Sequence, residues 1–590
     1  MFYRSLSDEQ TVRVRRARPV IAIAIVAFAI GAIVGANSGS SSNDALAERF
    51  VSAWTHSDYA AMYADVDAAT RRSLSADAFA AAYAEALRTA TATGARVLGK
   101  ARSSAGGVVV VPVDVHTQMF GTLALSFRLR LVSGAEGTQQ IAWSRSLTFP
   151  GMRSGETLSR QTTLPPRAKL LARDGSVLAE GSAGEAGTRS SPLGDVADAV
   201  IGEVGPIPSA NRESLEAQGV PSNAIVGTSG LERALDAQLR GTPGGELLAG
   251  RRVIASAVPR AAHAVRTTIS PSVQSAAVAA LGGQLGGVVA LEPRTGQVLA
   301  VAGIGIDSVQ PPGSTFKMVT VTGVLAAHIA TPKTVFPYAT YATLDGVKLS
   351  NANGEECGGS LELAFAVSCN SVFSPLGVKL GSQRLVAMAE RFGFNHSPGI
   401  EGAAESTLPA ASQIQGELDL GSTAIGQGQV QASALQMTVV AASIADGGRR
   451  PRPTFTLQPT SAPGAYVTSA SVARTVRRLM IEVVRKGTGT SAAISGVTVA
   501  GKTGTAELKT ECTPSEHEAE ASEGEHEASG SGCEGANSEA SNTDAWFASF
   551  APALKPRIAV GVLLVKDGAG GDTAAPVARE VLEAGLQASR

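Results

Sequence analysis

Cysteine is scarce in this chain, and the four present, Cys357, Cys369, Cys512 and Cys533, form no C-x-x-C pair and no zinc-type spacing. That argues against a metal site and against a metal cofactor. Excess charge is missing too: 50 basic against 51 acidic residues leave a formal net charge of −1, which predicts no special affinity for nucleic acid or for an anionic surface. Aromatic residues make up only 4% of the chain while alanine and glycine abound, a composition that reads as genomic bias rather than disorder.

What is there begins with length. At 590 residues the chain is too long for one core and is expected to hold three or more domains. Arg13, Arg15, Arg16 and Arg18 precede the uncharged run Val20 to Ala36, and Asp44 begins ordinary soluble sequence. As a helix that run spans roughly 25 Å at about 1.5 Å per residue, barely enough for a bilayer core of about 30 Å. Residues 1–18 then read as a cytoplasmic tail and 19–36 as a single retained anchor, with everything after it outside the membrane. The competing reading is a cleaved signal peptide ending at Val34-Gly35-Ala36. Export means oxidising surroundings, and the cysteines fall into two near pairs. Cys357 with Cys369 and Cys512 with Cys533 are therefore candidate disulfides.

Residues 44–150 read as a small α+β domain. Leu46, Phe50 and Trp54, then Tyr59, Met62, Tyr63 and Val66, then Phe79, Tyr83 and Leu87 recur at helical spacing, and their aromatics are expected to be core. Beyond Gly94 the period changes to two, with Val108–Val115 and the alternating Leu123, Leu125, Phe127, Leu129 and Leu131 as strands. Residues 160–259 read as an irregular, mixed connecting domain, with a hairpin turn at Asp174-Gly175 and a loop from Gly181 to Ser191. From about residue 264 to 590 the pattern predicts an antiparallel sheet with helices on both faces. Its hairpin Gly287–Val301 runs into a helix near residue 314, further helices follow through Arg485, and later strands begin at Val497, Ala545 and Ile558. Residues 507–542 interrupt the last hairpin with ten glutamates and one lysine, and are expected to be a solvated, disordered loop.

Chemistry concentrates in Pro311-Pro312-Gly313-Ser314-Thr315-Phe316-Lys317-Met318. The prolines and glycine stop what precedes, and the apolar run through Ile329 predicts a buried helix with Ser314 at its start. Ser314 and Lys317 then share one face within one turn. A serine hydroxyl is a poor nucleophile until a base takes its proton, and a lysine walled in by apolar groups or a second cation is neutral enough to be that base. Alone, S-x-x-K is also met as an N-cap serine beside a surface lysine. Ser368-Cys369-Asn370 follows 54 residues after Ser314, and Lys502-Thr503-Gly504-Thr505 comes 134 after Ser368. No histidine lies near these motifs, which argues against a Ser-His-Asp triad. S-x-N recurs at Ser41 and Ser209 and is weak singly, whereas S-x-x-K and K-T-G each occur once.

In order and spacing these three motifs resemble those of the penicillin-binding proteins, in which S-x-x-K, S-x-N and K-T-G converge on one site. Thr267–Gln274, Gly426-Gln427-Gly428, Gln436-Met437 and Gly487-Thr488-Gly489 resemble the family's other signposts, so the likeness covers the chain from Val265 onward. Gly230-Leu231-Glu232 and Leu239–Gly244 resemble the pedestal, or dimerisation, domain of class B members. The first domain is similar to that of the methicillin-resistance type, and nothing before Val265 fits a glycosyltransferase. The resemblance implies a multidomain α+β protein with a serine β-lactamase/transpeptidase-like C-terminal domain on one transmembrane helix.

It also implies a D,D-transpeptidase of cell-wall synthesis, acting on the D-Ala-D-Ala end of peptidoglycan stem peptides and acylated by β-lactams, with a membrane glycan polymerase as a partner. Ser314 is the expected nucleophile, Lys317 its base, Ser368 a proton relay between Lys317 and Lys502, and Asn370 an orienter of a substrate amide. Lys502 lowers the pKa of Lys317 and meets a substrate carboxylate, which Thr503 and Thr505 also bind, while Gly504 allows a backbone to approach. The oxyanion hole is expected from the backbone N–H groups of Ser314 and Thr505. A D,D-carboxypeptidase or β-lactamase, in which water replaces the acceptor amine, stays open, as does a silent β-lactam sensor or scaffold. Two departures stand out: Arg167-Ala168-Lys169 replaces the Arg-Gly usual in class B, putting pedestal packing in doubt, and the loop from Gly305 to Ser314 is short.

Overall fold

The computed structural model describes residues 42–104, 106–134, 137–183, 187–457, 464–507 and 542–588. The expected anchor, Cys512, Cys533 and nearly all of the acidic insertion lie outside them. Among the described residues no helix is long and apolar enough to cross a membrane.

Chain contacts divide the molecule into two compact units. The first comprises the described residues up to Pro165, with Pro208–Ala224 and Thr242–Arg260. Four helices, Ser42–Thr55, Tyr59–Asp65, Ala68–Ser73 and Ala76–Thr89, lead into strands Ala92–Val97, Arg102–Ser104, Val108–Thr117, Gly121–Ser133 and Gln139–Ile141. Three of the helices start on an acceptor side chain: Asp58, Asp67 and Ser75 accept from the backbone N–H groups of Ala61, Thr70 and Ala78. The sheet covers a core in which Phe50, Trp54, Phe79, Tyr83 and Phe127 are buried, and the Trp54 and Phe127 rings meet edge-on at 4.8 Å. Tyr83 keeps its hydroxyl satisfied there by accepting from Trp143 Nε1 at 3.2 Å. A separate three-stranded antiparallel sheet joins Leu158–Thr163, Gly244–Ala249 and Arg252–Ala257. The segment 160–259 is thus shared between the two units.

The second unit comprises Pro166–Ile207, Ile225–Gly241 and Ala261 onward. Its early part is held by charge. Arg167 donates to Glu232 Oε2 at 2.6 Å and to Asp236 Oδ1 at 2.7 Å, while buried Arg189 reaches Glu232 Oε1 at 2.9 Å. Ala168 is buried in the core and its carbonyl accepts from Arg189 at 2.8 Å. The Arg-Ala-Lys departure therefore packs without a gap in this network. Of the stretch expected as loop, Gly181–Ala183 instead belong to the Val177–Ala183 strand, which pairs with Arg189–Ser190.

The main sheet is antiparallel throughout, in the order Val298–Gly303, Gly286–Leu291, Ile558–Leu564, Thr543–Ala551, Ala500–Glu507. The two-residue period decides its two faces. Ala545, Phe547 and Ala551 pack with helices Pro271–Leu281 and Ala574–Ala588, while Trp546, Ala548 and Phe550 pack with the layer containing Lys317–Ala326, Ala434–Ala445 and Ala470–Lys486. The last strand begins at Ala500 rather than Val497, because Gly496 turns the chain and Val497 pairs back onto Ile494. Between the helices lie short strands that periodicity did not announce: Val335–Ala339 pairs with Cys357–Ser360, and Tyr341–Leu344 with Val347–Ser350.

Candidate active site

Ser314 sits in a single 3-10 turn, Gly313–Phe316, that passes directly into the helix Lys317–Ala326. The turn is locked from both sides. Gly313 N–H donates to Gly426 O at 3.0 Å, and Thr315 Oγ1 donates to Pro312 O at 2.6 Å. Gly426 has φ +77°, and a Cβ there would stand 2.1 Å from Gly313 O, so no other residue fits beneath the serine's turn. Ser314 itself is half-buried and its hydroxyl is reachable.

Lys317 is fully buried and supplies the geometry that a base requires. Its Nζ lies 2.9 Å from Ser314 Oγ, 2.6 Å from Ser368 O and 2.6 Å from Asn370 Oδ1. A neutral amine has two N–H groups and one lone pair. The carbonyl and the amide oxygen accept only, so they take both N–H groups, and the lone pair is left for the Ser314 hydroxyl proton. Desolvation first, and the charge of Lys502 second, hold the Lys317 pKa well below its ordinary 10.5. Among the described residues no carboxylate ion-pairs with either lysine.

Ser368 stands between the two. Its hydroxyl accepts from Lys502 Nζ at 2.8 Å and lies 3.4 Å from Lys317 Nζ. A left-handed backbone, φ +65°, turns its carbonyl toward Lys317. Such a conformation persists in a non-glycine residue only where the surroundings impose it. Here the Ser368 and Cys369 N–H groups close back onto Phe365 O and Ala364 O, and a Cys357–Cys369 disulfide ties the next residue to the neighbouring strand.

Lys502 is also fully buried, on the edge strand of the sheet, and burial alone lowers its pKa to about 7. Phe365 faces its Nζ at 5.6 Å, as Phe373 faces that of Lys317 at 5.7 Å. Gly504 permits a close approach of the chain itself: a Cβ there would lie 2.8 Å from Pro312 O and 3.0 Å from Thr315 Cγ2. Its lack of a side chain presses the strand against the turn of Ser314. The Thr503 hydroxyl shares a 2.5 Å hydrogen bond with that of Thr488, while half-exposed Thr505 lines the strand next to Ser314's turn.

All five expected catalytic side chains therefore meet, and the Thr503–Thr505 strand borders them. Asn370 differs in one respect from expectation: besides Lys317, it engages the chain through Nδ2, which donates to Ser350 O at 2.9 Å. Sequence reasoning missed Thr488, the two phenylalanines and the Ser350-Asn351 corner. Thr488 lay inside the Gly487-Thr488-Gly489 signpost, but nothing in the sequence marked Asn351. Among the described residues no group of three or more His, Cys, Asp or Glu side chains is placed to hold a metal ion.

With this geometry in view, the likenesses to known proteins fall into place. Residues 286–583 match the penicillin binding protein transpeptidase domain, 182–252 the penicillin-binding protein dimerisation domain, and 42–156 the NTF2-like N-terminal transpeptidase domain. The chain is 32% identical over 434 residues to peptidoglycan D,D-transpeptidase PbpA of Mycolicibacterium smegmatis, covering 61% of this chain and 80% of that protein. Its fold is similar to penicillin-binding protein A of Mycobacterium tuberculosis, solved as an imipenem acyl-enzyme complex, with TM-score 0.53 and 28% identity over 71% of this chain and 99% of that one. It is similar also to PBP2 of Pseudomonas aeruginosa, with TM-score 0.58 and 25% identity over 72% and 96% of the two chains. A transpeptidase domain carrying S-x-x-K, S-x-N and K-T-G on one cleft, behind dimerisation and NTF2-like domains, makes this chain a member of the class B penicillin-binding protein family.

Proposed function

We propose that this protein is a peptidoglycan D,D-transpeptidase that works through an acyl-enzyme on Ser314 and is acylated at the same serine by β-lactams. The observation that carries this reading is the Lys317 amine, buried with no carboxylate paired to it among the described residues and with its lone pair left for Ser314 Oγ at 2.9 Å. Ser314 Oγ attacks the carbonyl between the two terminal D-alanines, and its proton passes to Lys317. The C–N bond then breaks, and the proton reaches the leaving D-alanine amine, with Ser368 Oγ as relay between the lysines. An amine of a neighbouring stem peptide attacks the ester and restores the serine. Lys502, with Thr503 and Thr505, faces the terminal carboxylate, and the N–H groups of Ser314 and Thr505 hold the oxyanion, one such donor being worth about 10²–10³ in rate.

Residues 19–36 anchor the chain in the cell membrane with the N-terminus in the cytoplasm and the catalytic unit outside, where a membrane glycan polymerase supplies the strands to be joined. The reading is supported by Arg13, Arg15, Arg16 and Arg18 flanking the apolar run. The test is to label the purified protein with a fluorescent penicillin and then to supply lipid-linked peptidoglycan precursor together with a polymerase. Label on wild type and none on Ser314→Ala, followed by cross-linked dimers, is the expected result. Label retained by Ser314→Ala overturns the nucleophile. Release of D-alanine without cross-links makes the protein a carboxypeptidase.

A further inference from the structure

Asn370 Oδ1 must face Lys317 if the lysine is to aim its lone pair at Ser314, and a primary amide is nearly symmetric in shape. Something has to decide which end points where. The only acceptor that the described contacts place at the other end is Ser350 O, 2.9 Å from Asn370 Nδ2. Turning the amide over would set two oxygens against each other there and present an NH₂ group to the lysine.

Ser350 O is itself held by its neighbour. Asn351 is 6% exposed, and its side chain makes three hydrogen bonds: Nδ2 donates to Ala339 O and to Glu355 O, both at 2.7 Å, and Oδ1 accepts from Ser371 N–H at 2.8 Å. Its backbone N–H donates to Thr340 O at 2.8 Å. The last of the side-chain bonds lands on the residue after Asn370, at the first turn of the helix Asn370–Leu380. Asn351 thus clamps both sides of the Ser350–Asn370 contact, the strand end that offers the carbonyl and the helix start that carries the amide. The Cys357–Cys369 bridge ties the residue before Asn370 to the strand Cys357–Ser360, in which Cys357 pairs with Ala339, the residue whose carbonyl Asn351 also holds.

We infer that Asn351 is a positioning residue for acyl transfer: it fixes Ser350 O so that Asn370 can meet Lys317 only through its oxygen. Resting on the acyl-enzyme reading above, this makes Asn351 act on the base through Asn370, without touching substrate. An amide oxygen beside Lys317 favours the ammonium, whereas an amide NH₂ favours the free amine but takes up the lone pair. Loss of the clamp then has two effects that mere loosening of the fold does not produce. The rate falls, and the pH at which the base loses its proton moves down.

The experiment measures acylation rate constants per folded site by a chromogenic β-lactam from pH 5 to 9, for wild type, Asn351→Ala and Asn351→Asp. The aspartate keeps an acceptor for Ser371 N–H, and with it the helix start, but offers nothing to Ala339 O and Glu355 O. Expected are a fall of about 10- to 100-fold in the limiting rate in both variants and a lower acid midpoint in Asn351→Ala, the added carboxylate of Asn351→Asp acting on Lys317 in the opposite sense. In an Asn370→Ala background Asn351→Ala should then have no further effect on the midpoint. A wild-type midpoint and per-site rate in either folded variant, with only melting temperature reduced, overturns the inference and leaves the acyl-enzyme reading intact. Absence of acylation in the wild type would strike that reading instead.

Discussion

Lys317 Nζ and Asn370 Oδ1 lie 2.6 Å apart, a neutral amide occupying the position where an ion pair would have placed a carboxylate. The choice of amide over acid keeps the base uncharged. Asn370→Asp would put a full negative charge on the ammonium form and raise the Lys317 pKa, costing about tenfold in free amine for each unit by which the pKa stands above the working pH. Acylation at pH 7 should fall by about 10²-fold and recover as pH rises. Stopped-flow acylation across pH checks this, and a midpoint equal to that of wild type contradicts it.

Lys502 titrates near 7, and its charge, besides lowering the Lys317 pKa, is available to a substrate carboxylate. Rates for penicillins should climb as Lys317 loses its proton and decline again as Lys502 loses its own, the two limbs belonging to the coupled pair rather than to either residue. An uncharged ester lacks the alkaline limb. Lys502→Ala should slow the carboxylate substrate more than the ester, and equal losses would confine Lys502 to tuning Lys317.

Both lysines also oppose folding below the alkaline range. The unfolded chain binds the proton below about 10.5, whereas folded Lys502 binds it only below about 7, so between those values the unfolded state holds more protons and stability rises with pH. The slope is about 1.4 kcal/mol per pH unit per lysine. Lys502→Met should raise the melting temperature at pH 7 and flatten this slope while slowing acylation. An unchanged slope in the variant would show that Lys502 keeps its ordinary pKa.

Glu232, wholly buried, faces Arg167 at 2.6 Å and Arg189 at 2.9 Å. Glu232→Gln removes the charge, leaving buried Arg189 facing a neutral amide and Arg167 with Asp236 alone, a change that breaks a buried pair and typically costs about 3–5 kcal/mol. A lower urea midpoint, with penicillin acylation per folded molecule close to wild type, is the expected result. Little change in midpoint would mean that water reaches the arginines.

The site was legible because its chemistry lies in residue types at rare spacing. S-x-x-K and K-T-G each occur once, and the order and spacing of the three motifs carry what a lone serine and lysine do not. That helices cover both faces of the main sheet was legible too, since Ala545 to Phe550 run almost unbroken in apolar residues and the strand is buried throughout. What escaped were interactions made by backbone. Ser350 acts through its carbonyl, Ser368 through a left-handed turn, and Asn351 through three bonds to main-chain groups, none of which leaves a mark in a one-dimensional pattern. The short strands around residues 335–360 escaped for a related reason: four or five residues are too few to establish a period. Gly504 was read as room for a substrate backbone, and the approach of Pro312 O and Thr315 Cγ2 is a further use that a missing side chain does not announce.

The cleft draws on chain positions far apart, with Lys502 meeting Ser368 across 134 intervening steps and Ser368 meeting Lys317 across 51. Contacts of such separation form late, after the loops between them have closed. No fragment holding one motif, or two, has a site to offer. Covalent capture of a penicillin is therefore a readout of completed topology as much as of catalysis: during refolding the label should appear only when the edge strand has docked on the sheet.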